Sequence, residues 1–272
     1  MSRARKQQAR PALLFIGAGR MGGAFLRGLV ARDEFSLLVI EPRASPALKA
    51  LARAGQIILN PDLAAMGMAR LAVIAVKPQV LPEAIVPLRP LLSHMAVLSI
   101  AAGVRVKRLE DLCGTRRIIR AMPNLAVEIG MGISAAYAAR GATRADVALA
   151  LSILRAGGKA EIVAREDLLD AVTAVSGSGP AYTFHLVEAL AEAAQKEGLP
   201  PALARLLANE TLAGAAGLLA RSGDPAHLRE QVTSPGGTTE AGLRVLMGRG
   251  GLTPLVRKTV AAARKRARDL GR

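Results

Sequence analysis

Short apolar runs alternate with amphipathic stretches along the first 165 residues of the chain. The apolar runs predict β-strands at 12–16, 36–41, 56–59, 71–76, 95–100 and 117–121, with weaker strands at 132–139 and 160–163. Helical periodicity separates them, most clearly at 21–31, 46–54 and 143–156. Strands that alternate with helices form parallel βαβ units. The pattern therefore predicts an α/β fold, with a Rossmann-type doubly wound parallel sheet over residues 11–165.

The strand signals stop after residue 165, and helical periodicity continues to the end of the chain. Helices are predicted at 166–175 and 181–197, with the small residues of 176–180 interrupting them. Further helices are broken at 222–225 and 234–237, where glycine and proline cluster. We therefore expect a C-terminal all-helical domain over residues 166–272 and a domain boundary near residue 165.

Basic residues are concentrated at the two ends of the chain. The formal net charge is +16; residues 1–10 contribute +4 and residues 257–272 contribute +6. Aromatic residues, which make up 2% of the sequence, are not interleaved with the basic ones as they are in single-strand nucleic-acid sites. Charged ends are typical of solvated segments. We expect a basic N-terminal tail over residues 1–10 and no nucleic-acid partner.

Several other classes of protein are disfavoured by what the sequence lacks. The single cysteine, Cys113, gives no disulfide framework and indicates a reducing compartment. The three histidines are isolated from one another, so no metal site is predicted. No apolar run reaches the roughly 18 residues of a membrane span. We expect a cytoplasmic protein that has no membrane partner.

The segment Gly17–Gly22 has the spacing of a dinucleotide-binding turn. It follows a predicted strand and opens a predicted helix, which is the context that this motif requires. Glycines allow the backbone to approach a pyrophosphate, and the helix N-terminus offers N–H groups to it. Glu41 ends the second strand, where a carboxylate accepts the ribose hydroxyls of NAD, whereas Arg43 is suited to the 2′-phosphate of NADP. The residues leave the choice between NADH and NADPH open.

Two further motifs follow predicted strands of the same sheet. Ala75-Val76-Lys77-Pro78-Gln79 lies at the carboxyl end of a strand, the edge at which open α/β sheets bind ligands. The alternative is that Lys77 is simply a surface lysine. The segment 120–124, which ends in Asn124, is placed in the same way after a later strand, but alone it is a weak signal.

Two glycine-rich motifs lie in the predicted helical domain. The segment 176–182 places small residues and Pro180 before a long helix, which suits a helix N-terminus that receives an anion. The segment 233–240 combines two glycines with four hydroxyl residues and Glu240, a composition suited to wrapping a carboxylate with N–H and O–H donors. Each is also consistent with an ordinary junction between helices.

Together these motifs resemble the pyrroline-5-carboxylate reductase family, from about Ala12 to Met247. The stretches that carry the resemblance are GAGRMG at 17–22, AVKPQ at 75–79, AMPN at 121–124, AVSGSGPAY at 174–182 and TSPGGTTEAGL at 233–243. The resemblance implies an enzyme that transfers hydride from NADPH or NADH to the imine carbon of 1-pyrroline-5-carboxylate and forms L-proline. It also implies a substrate-binding and dimerisation role for the helical domain, hence a homodimer or larger homo-oligomer.

The motifs and the resemblance together assign the site residues. The cofactor residues are Ile16, Gly17, Ala18, Gly19, Arg20, Met21, Gly22, Glu41, Arg43, Ala75, Val76, Lys77, Pro78 and Asn124. The substrate residues are Ser178, Ser234, Gly236, Gly237, Thr238 and Thr239. Among these, Ser234 anchors the carboxylate and Thr239 contacts the ring nitrogen, and both are assigned as catalytic.

The chain departs from the family pattern after Asn124. The family usually has Thr-Pro there, and this chain has Leu125-Ala126. This leaves the cofactor preference open, with NADPH slightly favoured by the family. Two other readings also stay open: a reductase of another cyclic imine acid such as piperideine carboxylate, and a non-catalytic dinucleotide-binding or nucleic-acid-binding protein.

Overall fold

A computed structural model describes residues 10–271, which divide into two compact units. The first unit contains the described residues up to Gly177 together with those from Arg264 onward, and the second is Ser178–Ala263. Of the predicted basic tail, residues 1–9 lie outside the described residues. Arg10 is described, and its Nη2 donates to Asp33 Oδ2 at 2.8 Å.

The first unit is built on one eight-stranded sheet. Its strands are β1 (Ala12–Ile16), β2 (Ser36–Ile40), β3 (Ile58–Leu59), β4 (Ala69–Ile74), β5 (Ala96–Ser99), β6 (Ile118–Pro123), β7 (Gly132–Ala138) and β8 (Gly158–Ile162). Their order is β3-β2-β1-β4-β5-β6-β7-β8. Neighbouring strands are parallel except for the antiparallel pair β6 and β7. The predicted doubly wound sheet is therefore confirmed, and the two weaker strands extend it.

Helices cover both faces of this sheet. They are α1 (Arg20–Arg32), α2 (Pro46–Arg53), α3 (Leu63–Gly67), α4 (Leu81–Ile85), α5 (Arg89–Leu92), α6 (Val106–Cys113), α7 (Arg144–Arg155) and α8 (Leu168–Val172). Strand β1 shows why two layers are needed: Leu13 and Phe15 enter one core, and Leu14 and Ile16 enter the other. A strand that is buried on both faces reads as a continuous apolar run, as the sequence pattern indicated.

The boundary between the units falls later than the predicted position near residue 165. Glu166 accepts hydrogen bonds from the Arg120 side chain at 2.7 Å and from the Val106 N–H at 2.8 Å. Asp170, which is buried, pairs with Arg105 at 2.8 Å. These polar ties attach residues 166–170 to the sheet unit, and a pattern of helical periodicity does not reveal them.

The SGSGP segment at 176–180 is not the interruption that the sequence suggested. Residues Thr173–Gly177 form a π-helical turn directly after α8, and α9 (Gly179–Lys196) begins two residues later. Gly177 lies close to Met122, because a Cβ at this position would be 2.6 Å from Met122 Cε. Glycine avoids that contact. The small residues thus allow a wide helical turn against the sheet instead of a loop.

The second unit is helical and has almost no core of its own. It contains α9, α10 (Pro201–Ser222), α11 (Pro225–Gln231), α12 (Thr238–Leu246) and the first part of α13 (Leu252–Leu270). Among the described residues 178–263, only Ala204 and Ala208 are buried. Large apolar side chains on α9 and α10 are exposed, including Phe184 at 57% and Leu206 at 55%. Exposed apolar surface of this extent is typical of an interaction surface.

Helix α7 starts after the N-cap Thr143, the first residue of the helical range predicted from the sequence. Thr143 Oγ1 accepts the Asp146 N–H at 3.1 Å, and Asp146 Oδ2 accepts the Thr143 N–H at 3.0 Å. The same carboxylate, which is buried, also receives Arg117 Nε at 3.0 Å and Nη2 at 2.6 Å. Burial alone would raise the pKa of Asp146, but the hydrogen bonds from Arg117 and Thr143 outweigh burial and hold the pKa below its ordinary value.

We predict that Asp146→Asn lowers the free energy of unfolding by about 2 kcal/mol at neutral pH, because charged hydrogen bonds are lost in a buried place. The folded pKa is depressed, so the contribution of Asp146 is present above its unfolded pKa of about 3.9 and is lost as pH falls through the folded pKa. The difference in the free energy of unfolding between the wild type and Asp146→Asn, measured by denaturant titration, should therefore become smaller in acid. The control is Asp62→Asn, since Asp62 is an exposed N-cap and asparagine caps equally well. Equal costs for the two substitutions would contradict this account.

Candidate functional site

The turn after β1 brings helix α1 against the neighbouring strand. Gly17 has a φ of +91°, and its N–H donates to Ile40 O at 2.9 Å. A Cβ on Gly17 would lie 2.7 Å from Val76 Cγ1, and one on Gly22 would lie 2.8 Å from Ala75 Cβ. The protein's own packing therefore requires glycine at both positions.

Gly19 differs from the other two glycines. Its φ is −62°, which any residue can adopt, and no atom lies within 4 Å of the position of a Cβ. Gly19 is also the N-cap of α1, and no side chain caps this helix. The first turn of α1 thus leaves backbone N–H groups without an acceptor. A helix start of this kind fits a phosphate anion.

A groove of about 690 Å³ runs from this helix start toward α2. Its charged lining consists of three arginines and two glutamates, namely Arg20, Arg27, Arg43, Glu41 and Glu128. Ala18 and Gly19 also line it, so five of the fourteen predicted cofactor residues lie in the groove. Three arginines against two glutamates leave an excess of one positive charge, which suits an anionic ligand.

Glu41 lies at the end of β2 and is held by backbone groups. Its Oε2 accepts the Ala18 N–H at 2.9 Å, and its Oε1 accepts the Arg43 N–H at 3.1 Å. The Glu41 N–H donates to Asn60 Oδ1 at 2.9 Å. The carboxylate is therefore fixed beside the tip of the glycine turn, where the sequence placed a ribose-binding group.

Glu128 is a groove residue that sequence reasoning missed. Arg20 Nη2 donates to its Oε2 at 3.1 Å, and Arg20 Nε donates to its Oε1. The hydrogen bond from Arg20 holds the pKa of Glu128 below its ordinary value. No motif marks this residue, because it lies in the short 3₁₀ turn Leu125–Ile129, far from Arg20 in sequence.

The other predicted cofactor residues lie on the same unit but do not line the groove. The Ala75 N–H donates to Ile16 O at 2.9 Å, which places the AVKP segment directly beside the glycine turn. Lys77 is exposed at the start of the turn Pro78–Val80. Asn124 Oδ1 accepts the Ile133 N–H at 3.2 Å and joins the end of β6 to β7. The Ile16 and Met21 side chains pack into the cores.

The second candidate site is the SPGGTT loop at the start of α12. The Gly237 N–H donates to Ser234 O at 3.1 Å, and Gly236 has a φ of +72°. Proline at the second position and a positive φ at the third are the requirements of a type II turn. The first turn of α12 leaves the N–H groups of Thr238 and Thr239 without helical acceptors. With the exposed hydroxyls of Ser234 and both threonines, they form a set of donors suited to a carboxylate.

The predicted substrate residues of this loop lie in the turn Ser234–Gly237 and at the first two positions of α12. Both glycine N–H groups already have acceptors inside the loop, since the Gly236 N–H donates to Glu240 Oε2 at 2.7 Å. The N–H donors left for a ligand are therefore those of Thr238 and Thr239. Ser178 precedes α9 at its N-cap position, and its side chain makes no capping hydrogen bond. Its substrate role stays a prediction.

Other kinds of site find little support in the described part of the chain. Residues 10–271 contain no group of three or more histidine, cysteine, aspartate or glutamate side chains that could hold a metal ion. No helix within the same range has the length and apolar character of a membrane span. Cys113 is buried, and burial raises the pKa of its thiol to about 12. This thiol serves as a packing residue.

The sheet order and the glycine turn define a Rossmann-type fold of the dinucleotide-binding class. A family model described as NADP oxidoreductase, coenzyme F420-dependent, matches residues 12–103. A second model, described as pyrroline-5-carboxylate reductase dimerisation, matches residues 166–270.

Similar proteins cover almost the whole chain. The pyrroline-5-carboxylate reductase of Thermus thermophilus is 38% identical over 268 residues, which is 95% of this chain and 98% of the relative. That of Pisum sativum is 36% identical, with 94% of each chain covered. The structure of the Coxiella burnetii enzyme has a TM-score of 0.88 at 34% identity, covering 96% of this chain and 98% of that one. The Plasmodium falciparum enzyme, solved with NADP bound, has a TM-score of 0.79 at 25% identity and covers 98% and 100%. The chain belongs to the pyrroline-5-carboxylate reductase family.

We predict that Gly19→Val weakens binding of NADPH and NADH at least about tenfold, or about 1.4 kcal/mol, without lowering the thermal unfolding temperature. The reason is that the valine side chain would enter space that no protein atom occupies. Calorimetric titration and thermal unfolding measure the two effects separately.

The matched variant is Gly22→Val, which would place atoms against Ala75 and the Gly17 carbonyl. Overpacking of this kind costs about 1–3 kcal/mol, so this variant should lose stability. Unchanged cofactor affinity in Gly19→Val would show that the pyrophosphate lies elsewhere.

Proposed function

We propose that this protein reduces 1-pyrroline-5-carboxylate to L-proline with NADPH or NADH, the last step of proline biosynthesis. The observation that carries the proposal is the presence of two separate anion-suited helix starts, one at Gly19 and one at the SPGGTT loop. The first suits the cofactor pyrophosphate, and the second suits the substrate carboxylate. Relatives that share 33–38% identity bear the name of this activity, which supports the assignment.

The residues present fit a nicotinamide dinucleotide on structural grounds. The space beside Gly19 would be filled by a Cβ, and the groove that begins there is lined by Arg20, Arg27 and Arg43. Gly19, Arg20 and the N–H groups at the start of α1 would hold the pyrophosphate. Glu41 and Arg43 would lie at the adenosine ribose. When bound, the cofactor supplies the hydride for reduction of a C=N bond.

The protein's task is then to bind, orient and polarise the substrate. A cyclic imine is already electrophilic, so the reaction does not demand a strong general acid. Ser234 and the N–H groups of Thr238 and Thr239 would anchor the ring carboxylate. The Thr239 hydroxyl would hydrogen-bond the ring nitrogen, which takes a proton from solvent water as hydride adds to the imine carbon.

We also propose that the protein works in the cytoplasm as a homodimer or a larger homo-oligomer. The helical unit supports this because its two longest helices expose leucine and phenylalanine side chains along most of their length. A second copy of the same unit is the natural cover, since a homodimer buries the same apolar patch on both subunits. The family model for dimerisation covers this region.

The direct test is the oxidation of NADPH and NADH in the presence of 1-pyrroline-5-carboxylate. The same assay with the six-membered piperideine carboxylate decides between ring sizes, because one methylene is worth only about 1–3 kcal/mol in a pocket. We expect the five-membered ring to have the higher kcat/KM. Preference for the six-membered ring would reassign the substrate, and no turnover with either would favour a non-catalytic dinucleotide-binding protein.

We predict that Glu41 and Arg43 change cofactor choice in opposite directions. Glu41→Gln should raise the ratio of kcat/KM for NADPH over NADH, because a negative charge beside the 2′-phosphate is removed. Arg43→Ala should lower that ratio about tenfold, the value of one charge-assisted hydrogen bond. Arg53→Ala is the control, because Arg53 is a cation on α2 that does not line the groove. Equal effects of Arg43→Ala and Arg53→Ala would indicate a general charge effect.

We predict that Thr239→Val lowers kcat as well as kcat/KM, by roughly tenfold to a hundredfold. The substitution keeps the shape and removes a hydrogen bond that strengthens as the nitrogen gains electron density, worth about 1–3 kcal/mol. Ser234→Ala should instead act mainly on KM, because a carboxylate contact is similar in the ground and transition states. Steady-state kinetics with a deuterated cofactor show whether hydride transfer limits the rate. An unchanged kcat under that condition would remove Thr239 from the nitrogen contact.

A further inference from the structure

Glu240 contacts both the turn that precedes helix α12 and a residue one turn further along the helix. It is the third residue of the helix, and its Oε2 accepts the Gly236 N–H at 2.7 Å. Its Oε1 pairs with Arg244 Nη2, one turn along the helix, at 3.3 Å. The side chain thus reaches back over the helix start in the manner of a capping-box glutamate. Its acceptor oxygen holds a residue of the loop that precedes the helix.

The loop has few other restraints of its own. The turn Ser234–Gly237 is closed by one hydrogen bond, from the Gly237 N–H to Ser234 O. Pro235 has no N–H to donate, and no atom lies within 4 Å of the Cβ position of Gly236. The Gly237 carbonyl is held by the Ala241 N–H at 3.2 Å, as part of the helix. The bond to Glu240 ties the Gly236 N–H to the helix.

The placement of the Ser234 hydroxyl depends on this turn. Ser234 Oγ lies 2.8 Å from the position that a Cβ on Gly237 would take, so the hydroxyl is folded over the glycine next to the helix start. The N–H groups of Thr238 and Thr239 emerge at the same end of α12. A turn that moved would separate the serine hydroxyl from these two N–H groups.

We propose that Glu240 is a positioning residue for the substrate carboxylate: it holds the turn that brings the Ser234 hydroxyl and the first N–H groups of α12 to one place. The inference rests on the proposed function, because it requires that the substrate carboxylate bind at this loop. A preorganised loop pays less ordering entropy when the ligand binds. Glu240 therefore acts on substrate binding, and the reacting atoms are left to other residues.

The negative charge of Glu240 opposes the binding of an anion. We therefore attribute its positioning role to the oxygen that accepts the Gly236 N–H. The ion pair with Arg244 offsets that charge. Glutamine keeps an acceptor oxygen on a side chain of the same length and removes the charge, whereas alanine removes both. These two substitutions separate hydrogen bonding from electrostatics.

The test is steady-state kinetics of the full-length enzyme with Glu240→Ala and Glu240→Gln. We expect Glu240→Ala to raise KM for 1-pyrroline-5-carboxylate roughly fivefold to tenfold, as for one hydrogen bond to a charged group, with kcat within about twofold of the wild type. Glu240→Gln should restore a KM close to that of the wild type. Glu230→Ala is the matched control, because Glu230 is an exposed glutamate of the same unit that pairs only with the adjacent Arg229 among the contacts seen.

A second substrate shows whether the effect acts through the carboxylate. 1-Pyrroline is the same ring without its carboxyl group, and Glu240→Ala should leave its kcat/KM unchanged. Equal losses on both substrates, no rescue by glutamine, or an unchanged KM in Glu240→Ala would each overturn the inference. Failure of the proposed function looks different, since the wild-type enzyme itself would then fail to reduce 1-pyrroline-5-carboxylate.

Discussion

The first unit depends on one close approach, that of helix α1 to the carboxyl end of β4. The helix can start there only because Gly17 and Gly22 present no side chain to Ala75 and Val76. This approach sets the direction of α1, and α1 in turn forms one wall of the groove. Gly19 is the N-cap of this helix and lines the same groove. Two of these glycines are thus required by packing within the fold, whereas no protein atom lies within 4 Å of the Cβ position of the third, Gly19.

The second unit has the opposite character, because its helices form without a core to pack against. Helices α9 and α10 are long, and their intrinsic propensity is good, yet isolated helices gain most of their stability from tertiary burial. Within residues 178–263 burial is limited to two alanines. In the proposed homo-oligomer, association is part of folding for this unit, and its stability depends on protein concentration.

Much of the sheet unit could be predicted from the sequence, and the reasons are local. Strand β1 is buried on both faces, so its sequence is an unbroken apolar run. Thr143 and Asp146 have the spacing of a capping box, which is typical of a helix start such as that of α7. What could not be predicted rests on contacts between distant residues. Glu128 reaches Arg20 across the fold, and Glu166 is recruited to the sheet unit by Arg120. No periodicity encodes such pairings.

The residues of the candidate site could be predicted from the sequence, but which of their N–H groups are already hydrogen-bonded could not. The SPGGTT motif indicates N–H donors in general, and the structure shows that the turn consumes those of Gly236 and Gly237. The π-helical turn at Thr173–Gly177 is a similar case. Its glycine and serine residues read as a loop, because small residues suit a loop and a tightly packed helical turn equally well.

The two candidate anion sites share one feature, a helix that starts at a glycine N-cap. Helices α2, α3 and α7 start at Ser45, Asp62 and Thr143, and each of these side chains accepts an N–H of its own helix. Helices α1 and α12 start at Gly19 and Gly237, which have no side chain to do so. A side-chain cap satisfies the helix internally, whereas a glycine leaves the N–H groups for an external anion. Helices α9 and α10 also start without a side-chain cap, at Ser178 and Pro200. A glycine N-cap therefore supports a candidate anion site only where a second feature accompanies it, which is the groove at α1 and the hydroxyl-rich turn at α12.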